Sequence, residues 1–367
     1  MNVPKLRFKE FNDEWKKIQL DSFVDINPKN DSLPEQFIYI DLESVNNGIL
    51  TTRKIINKSE APSRAQRTIK ENDILYQTVR PYQMNNLFVK NFDSDYPYIA
   101  STGYALLRTK ENPYFVYSIL YQKSFVNKVL DMCTGTSYPA ISANDLGTIT
   151  VGLPSLKEQE KISKTLELLD KKIELQSKKI EDLKLFKKGL STTIFNSLRD
   201  FEEYKLGKIC NITTGKLDAN AMIDNGKYRF YTCAKEYSLI DKYAFDTEAL
   251  LISGNGAYVG YIHYYKGKFN AYQRTYVLDN FSQNIQFIKC YLEENLAKRI
   301  NSEKKEGNTP YIVLSTLSDM VIKIPSKENQ IKISNIINCH NKKIEHEENK
   351  LLKLQELKKG LMQSMFV

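Results

Sequence analysis

The residues able to do covalent chemistry are few and poorly spaced for it. Asn112-Pro113-Tyr114-Phe115 is the nearest approach to the amide-or-acid, Pro-Pro, aromatic grip with which adenine methyltransferases hold an extruded base. It lacks the second proline, and its later counterpart Asn284-Ile285-Gln286-Phe287 has none, so both read better as helix starts. The glycines of Gly254-Asn255-Gly256-Ala257-Tyr258-Val259-Gly260 set the third glycine one place too late for a dinucleotide turn, leaving a tight turn or DNA-facing loop. No phosphate-loop motif appears. Cys133, Cys210, Cys233, Cys290 and Cys339 form no C-x-x-C pair and read as reduced thiols. His263, His340 and His346 show neither metal-ligand spacing nor a nucleophile to serve. We therefore expect a non-catalytic chain with no metal and no cofactor of its own.

Binding chemistry is better represented. The net charge of +9 and pI of about 9.0 permit a nucleic-acid partner. The charge is spread: net +1 over 1–153, +3 over 154–197, +2 over 198–324 and +3 over 325–367. Any DNA surface must then be assembled by folding. Phosphates are met by Lys, Arg and hydroxyls, and base edges by Arg, Asn, Gln and Lys, so loops that mix these types are the candidates. In the first half these are Gln77, Thr78, Arg80, Gln83 and Asn85 in one acid-free loop, Arg64 and Arg67 just before it, and Thr136, Ser137 and Tyr138 beside Gly135. In the second half they are Asn255 and Tyr258, the run Lys266, Lys268, Tyr272, Gln273 and Arg274, and Lys304, Lys305 and Asn308.

The elements that must position these loops are set by a duplication. "LKLFKKGLSTTIF" at 183–195 returns as "LQELKKGLMQSMF" at 354–366, an offset of 171. At that offset Pro154-Ser155 falls on Pro325-Ser326, Gln159 on Gln330, and Lys171-Lys172-Ile173-Glu174 on Lys342-Lys343-Ile344-Glu345. Each copy begins after a proline and runs as a long helix. Ile162, Leu166, Leu169, Ile173, Ile180, Leu183 and Leu190 stripe the first, and Ile333, Ile337, Ile344, Leu351, Leu354 and Leu361 the second. Steps of three and four over several heptads predict a coiled-coil seam, most economically the two helices on each other. Roughly 40 residues make each about 60 Å long. Gln176, His340 and Glu347 interrupt the seams.

Weaker matches extend the duplication upstream, to Leu20–Ile26 against Leu206–Ile212 and Ser101–Leu106 against Gln273–Leu278. The fold class is α+β: two similar globules, each a compact twisted sheet or partial barrel with a helix near 114–130 or 285–303, alternating with two long helices packed as an antiparallel coiled coil under an internal pseudo-two-fold repeat. The expected segments are 1–153, 154–197, 198–324 and 325–367. Two similar readers a fixed distance apart suit a duplex with two half-sites, one turn being about 34 Å.

These features resemble the specificity subunit of type I restriction–modification systems. The resemblance rests on Pro4-Lys5-Leu6-Arg7-Phe8 through Phe11 and Trp15, on Leu153-Pro154-Ser155 through Glu158-Gln159 and Ile162, and on the repeated Lys-Lys-Gly-Leu ending. The second helix start departs from the pattern, with Asn329 in place of Glu158. The resemblance implies two target recognition domains, each reading half of a bipartite double-stranded DNA sequence. It implies helices that set the spacer and dock two modification (methyltransferase) subunits. Those partners use S-adenosylmethionine, and any restriction subunits use ATP and Mg. No apolar run approaches 18 residues and the charged start is unlike a signal peptide, so a cytoplasmic location is expected. Two other readings are a coiled-coil adaptor without DNA reading, and a self-contained methyltransferase or nuclease, against which the missing motifs stand.

Overall fold

Leu20 and Leu206, Phe115 and Phe287, and Leu146 and Leu317 are all fully buried, at equivalent places in two separate cores. These cores belong to two compact units of a computed structural model that describes residues 3–29, 32–90, 94–303 and 311–367. One unit is Met1–Gln176 with Lys350–Val367; the other is Ser177–Asn349. Each unit thus takes one globule, half of the helix Leu156–Asn196 and half of the helix Lys327–Ser364.

The duplicated helix start has a specific job. In the first unit Gln159, fully buried, accepts from the Asn112 N–H at 3.2 Å and donates to the Pro154 carbonyl at 3.0 Å and to Glu111 at 2.8 Å. In the second, Gln330 accepts from the Asn284 N–H at 3.0 Å and donates to the Pro325 carbonyl at 2.9 Å and to Gln283 at 3.0 Å. Asn112 and Asn284 are N-caps, their side chains accepting from Phe115 N–H at 3.0 Å and Phe287 N–H at 2.9 Å. One buried glutamine therefore ties the start of a long helix to the start of its globule's helix, satisfying backbone groups that burial would otherwise orphan. The helix expected near 285–303 is Ile285–Glu303. The one near 114–130 is two, Pro113–Ile119 and Lys123–Met132, because Gln122 leaves helical geometry.

The duplicated ending matters too. Phe366 stacks on Phe115 at 5.2 Å and meets Trp15 edge-on at 6.2 Å. Its counterpart Phe195 lies 6.0 Å from Phe287 and 5.3 Å from Tyr291. Each globule is closed by the start of one long helix and the end of the other. Truncating either phenylalanine should cost about 3–5 kcal/mol.

All the stripe residues are buried or half-buried. Ile162 and Leu166 join the first globule's core, and Ile333 and Ile337 the second's, so the helix starts pack on globules and only the remainder meets the other helix. In the second unit Lys179 pairs with the buried Glu347 at 2.9 Å, and Phe186 packs on His340 at 5.2 Å, so the two segments run antiparallel. In the first, Lys358 pairs with Asp170, which also accepts from the Tyr114 hydroxyl.

The sheets share one strand order. The second globule has a single six-stranded sheet, in the order Asn211–Thr214, Thr275–Asp279, Phe245–Ser253, Ile262–Ala271, Tyr228–Tyr231 and Ser238–Ile240. Phe245 pairs with Phe269 while Ser253 pairs with Thr275. A nine-residue strand whose ends meet partners six residues apart must curl, giving a partial barrel. The first globule splits the same order into two four-stranded sheets. One holds Val24–Ile26, Tyr104–Thr109, Ile74–Gln77 and Leu87–Phe88; the other holds Ala65–Thr68, Tyr98–Ser101, Gln36–Ile40 and Lys54–Asn57.

Candidate nucleic-acid interface

In the first globule the turn Thr102-Gly103 sits where the two sheets meet. The Thr102 N–H donates to the Arg64 carbonyl at 2.9 Å, and the Thr78 N–H donates to the Gly103 carbonyl at 3.0 Å. The Thr78 carbonyl then accepts from Ile141 N–H at 3.1 Å, and Arg80 N–H donates to the Pro139 carbonyl at 2.7 Å. Three candidate segments that lie apart in sequence are thereby joined edge to edge: 64–67, 77–86 and 134–141.

Within this group the residues divide by burial. Gln77 is 1% exposed, and its amide is used inside the loop: it donates to the Val79 carbonyl at 2.8 Å and to Gln83 at 2.9 Å, and accepts from Asn85 N–H at 3.1 Å. The Thr78 hydroxyl donates to the Gly103 carbonyl at 2.8 Å. Expected as DNA-touching residues, these two instead hold the loop from beneath, because their polar atoms are already engaged in the interior. Arg64, Gln83, Thr136, Ser137 and Tyr138 are exposed, and Arg67, Arg80 and Asn85 half-buried. Burial pulls the Arg67 pKa down, and its Nε is enclosed with no hydrogen-bond partner.

Arg80 has a left-handed backbone, φ 55°, as has Met84 at 51°; the two bracket the short turn Pro81–Gln83. Such a conformation costs a non-glycine residue about 1–2 kcal/mol. The Arg80 guanidinium lies 4.3 Å from the centroid of the exposed Tyr138 ring, and its Nε is buried without a partner.

The second globule repeats the arrangement. The Gly254 N–H donates to the Arg274 carbonyl at 2.9 Å, and the Gly254 carbonyl accepts from Ile312 N–H at 2.8 Å. Thr78 and Gly254 are thus the same node, and two residues on, Arg80 and Gly256 share the left-handed backbone, Gly256 at φ 79°. Gly254 is glycine for a steric reason: a Cβ would lie 2.4 Å from the Arg274 carbonyl oxygen. Tyr272, Gln273 and Arg274 form the turn itself, with Gln273 and Arg274 exposed. Tyr258 lies beneath Lys235 at 5.4 Å. Lys266 and Lys268 are placed elsewhere, on the outer face of a strand; Lys266 pairs with Glu248 at 3.6 Å and Lys268 covers the Tyr243 ring at 4.6 Å. The turn does not gather them with Arg274, because strand alternation commits their side chains to the sheet face. Lys304, Lys305 and Asn308 fall outside the described residues.

Sequence reasoning overlooked several neighbours. The hairpin Asn46-Asn47-Gly48-Ile49 carries left-handed Asn47 and Gly48, and the Asn47 N–H donates to the Asn85 side chain at 3.1 Å. The Asn-Gly pair was its signal. In the second globule Leu217 and Asp218 grip Gln273, through a 2.9 Å bond from its backbone N–H and a 2.6 Å bond from its side chain. Gly215 announces that approach, since a Cβ there would lie 1.8 Å from the Ala271 carbonyl oxygen.

Among the described residues no cluster of His, Cys, Asp and Glu is arranged to hold a metal, and no helix is long and apolar enough to cross a membrane. What both turns offer is a rigid rim of cations, amides and aromatic rings, suited to phosphates and base edges.

The chain is 35% identical over 166 residues to the type I restriction enzyme EcoDI specificity subunit of Escherichia coli, covering 45% of this chain and 37% of that protein. It is 27% identical over 139 residues to the HindI specificity subunit of Haemophilus influenzae, covering 36% and 30%. The aligned parts thus span about a third of these relatives. Among solved structures, the type I restriction–modification S subunit from M. genitalium shares the fold at a TM-score of 0.66 and 20% identity, covering 100% of this chain and 99% of that one. Residues 12–185 and 199–356 each match the type I restriction modification DNA specificity domain, so the chain belongs to that family.

Proposed function

We propose that this chain reads a bipartite double-stranded DNA target, each globule taking one half. Residues 1–153 and 198–324 act as the two target recognition domains, and the long helices set the spacing and dock two modification subunits. The chain supplies recognition; methyl transfer from S-adenosylmethionine belongs to those partners, and ATP- and Mg-dependent cleavage to restriction subunits where they join. The observation that carries this reading is the duplicated node at Thr78 and Gly254. One scaffold, repeated, brings different loops to the same turn, which is what reading two different half-sites requires.

Co-expression with the modification subunit of the same locus, in a host free of DNA methylation, tests it. Long-read mapping of N6-methyladenine should find methylation confined to one split motif. Exchanging residues 1–153 for those of a relative should change one half of the motif and leave the other. A soluble complex that binds S-adenosylmethionine yet marks no motif would overturn the reading.

A further inference from the structure

We propose that Arg80 reads a guanine in the half-site recognised by the first globule, with Tyr138 as its positioning residue. This rests on the reading of that globule as a DNA-binding unit.

The backbone supplies the first reason. The same point of the scaffold is left-handed in both globules, and the second fills it with Gly256, the residue that accepts this conformation freely. A Cβ on Gly256 would meet nothing within 4 Å, so space does not dictate the choice. The first globule places arginine there, at φ 55°, against its conformational preference. A bulky side chain kept where glycine would fit without strain points to a role for the side chain.

The side chain's setting supplies the second. Its guanidinium is laid over the Tyr138 ring at 4.3 Å, which fixes the plane of the fork. Nε is enclosed without a hydrogen-bond partner, which leaves the two terminal nitrogens as the outward donors. Two parallel N–H groups held in a fixed plane match O6 and N7 of guanine in the major groove. A phosphate would also accept the fork, but phosphates are common to every sequence, so the selectivity of the loss separates the two contacts.

The loop beneath is rigid, which supplies the third. Arg80 N–H is tied to Pro139, Gln83 N–H to the Arg80 carbonyl at 3.0 Å, and Gln77 N–H to the Asn86 side chain at 2.8 Å. No acidic residue lies between 77 and 86 to neutralise the fork. A reader pre-organised in this way loses little freedom on binding.

The test is a methylation map of the complex with its modification subunit, with the half-site of residues 1–153 first assigned by domain exchange. Arg80→Ala, Arg80→Lys and Arg80→Gly are compared with the unaltered chain. Arg80→Gly relieves the backbone strain, so its loss of recognition cannot be ascribed to misfolding. We expect all three to relax one guanine position in that half-site, by about ten- to a hundredfold in preference, with the other half unchanged. Tyr138→Ala should relax the same position by less. A motif retained at every position in Arg80→Gly overturns the proposal. So does a uniform weakening at all positions accompanied by a salt dependence shallower by about one, the mark of a phosphate contact. If the unaltered chain gives no motif, the DNA reading itself fails and this inference with it.

Discussion

The first globule breaks its strand, as Ala65–Thr68 and Ile74–Gln77, where the second runs on uninterrupted as Phe245–Ser253. At Asp73 the chain turns: the buried carboxylate accepts from Lys70 N–H at 2.7 Å and takes a two-pronged pair from Arg108 at 2.8 and 2.6 Å. The residue at the equivalent register, Ala249, lies mid-strand, fully buried and opposite Tyr265. An acid that collects backbone and guanidinium donors makes a corner; a small apolar residue in its place leaves the ladder whole. The topology survives both choices, since the pairing order is set by the apolar residues on either side. The same contrast explains the departure at the second helix start. Glu158 is buried against Arg7, with Nε to Oε1 at 2.7 Å and Nη2 to Oε2 at 2.8 Å, and thereby ties down the chain's opening segment. The second globule follows directly from a helix and has no such segment to secure, so Asn329 is exposed.

This comparison can be broken at several points. The largest effect is expected for Glu158→Ala, which strips both carboxylate bonds from Arg7, leaving it the Asp13 carbonyl, and should cost about 3 kcal/mol. Asn329→Ala should fall within about 0.5 kcal/mol. Urea unfolding of both variants decides, and equal losses would refute the asymmetry. Gly215→Ala should cost about 1–3 kcal/mol by pushing the 271–274 turn aside. It should also blur only the second half of a methylation motif; an unchanged motif with full stability would remove that turn from the site. Gln159→Ala and Gln330→Ala should each lose about 1–3 kcal/mol, because each orphans the same buried groups. Unequal losses in hydrogen-exchange protection of the two globules would show that the two clamps are not equivalent. Gly189→Ala and Gly360→Ala should each stabilise by about 0.5–1 kcal/mol, as both lie inside long helices with nothing near the added Cβ. A fall in melting temperature would contradict that.

The smallest effect concerns pH. Burial holds the His263 pKa below its ordinary 6.5. The unfolded chain then binds a proton that the native one refuses, so the second globule loses stability as pH falls through about 6.5 and is insensitive above it. His263→Gln should flatten that dependence in a melting series from pH 7.5 to 5.5, with no change expected in the first globule.

Much of the scaffold was legible because duplication and helical period are local records. Pro154, Gln159 and the Lys-Lys-Gly-Leu ending announced both helices, and the stripe from Ile162 to Leu190 faces inward as its spacing required. The strands Gln36–Ile40, Phe245–Ser253 and Thr275–Asp279 are built around apolar runs at 37–40, 249–252 and 276–278 that the sequence itself displays. The site was legible only as a set of loops. Gln77 and Arg80 share one polar stretch, and nothing in composition separates the anchor from the exposed fork. Burial separates them, and burial depends on Gly103 and Pro139, distant residues that close around the loop. Likewise, residue type favoured Lys266 and Lys268 equally with Arg274, until sheet register assigned the lysines to another face.

The sequence alone determined that there are two globules, two long helices and one repeated way of joining them, because each of these is written in residues close together along the chain. Tertiary structure decided which halves of the helices close each globule, where the first sheet breaks, and which loop atoms remain outward. Those outcomes depend on pairings between residues tens to hundreds of positions apart, whose free energy exists only once the chain has closed on itself.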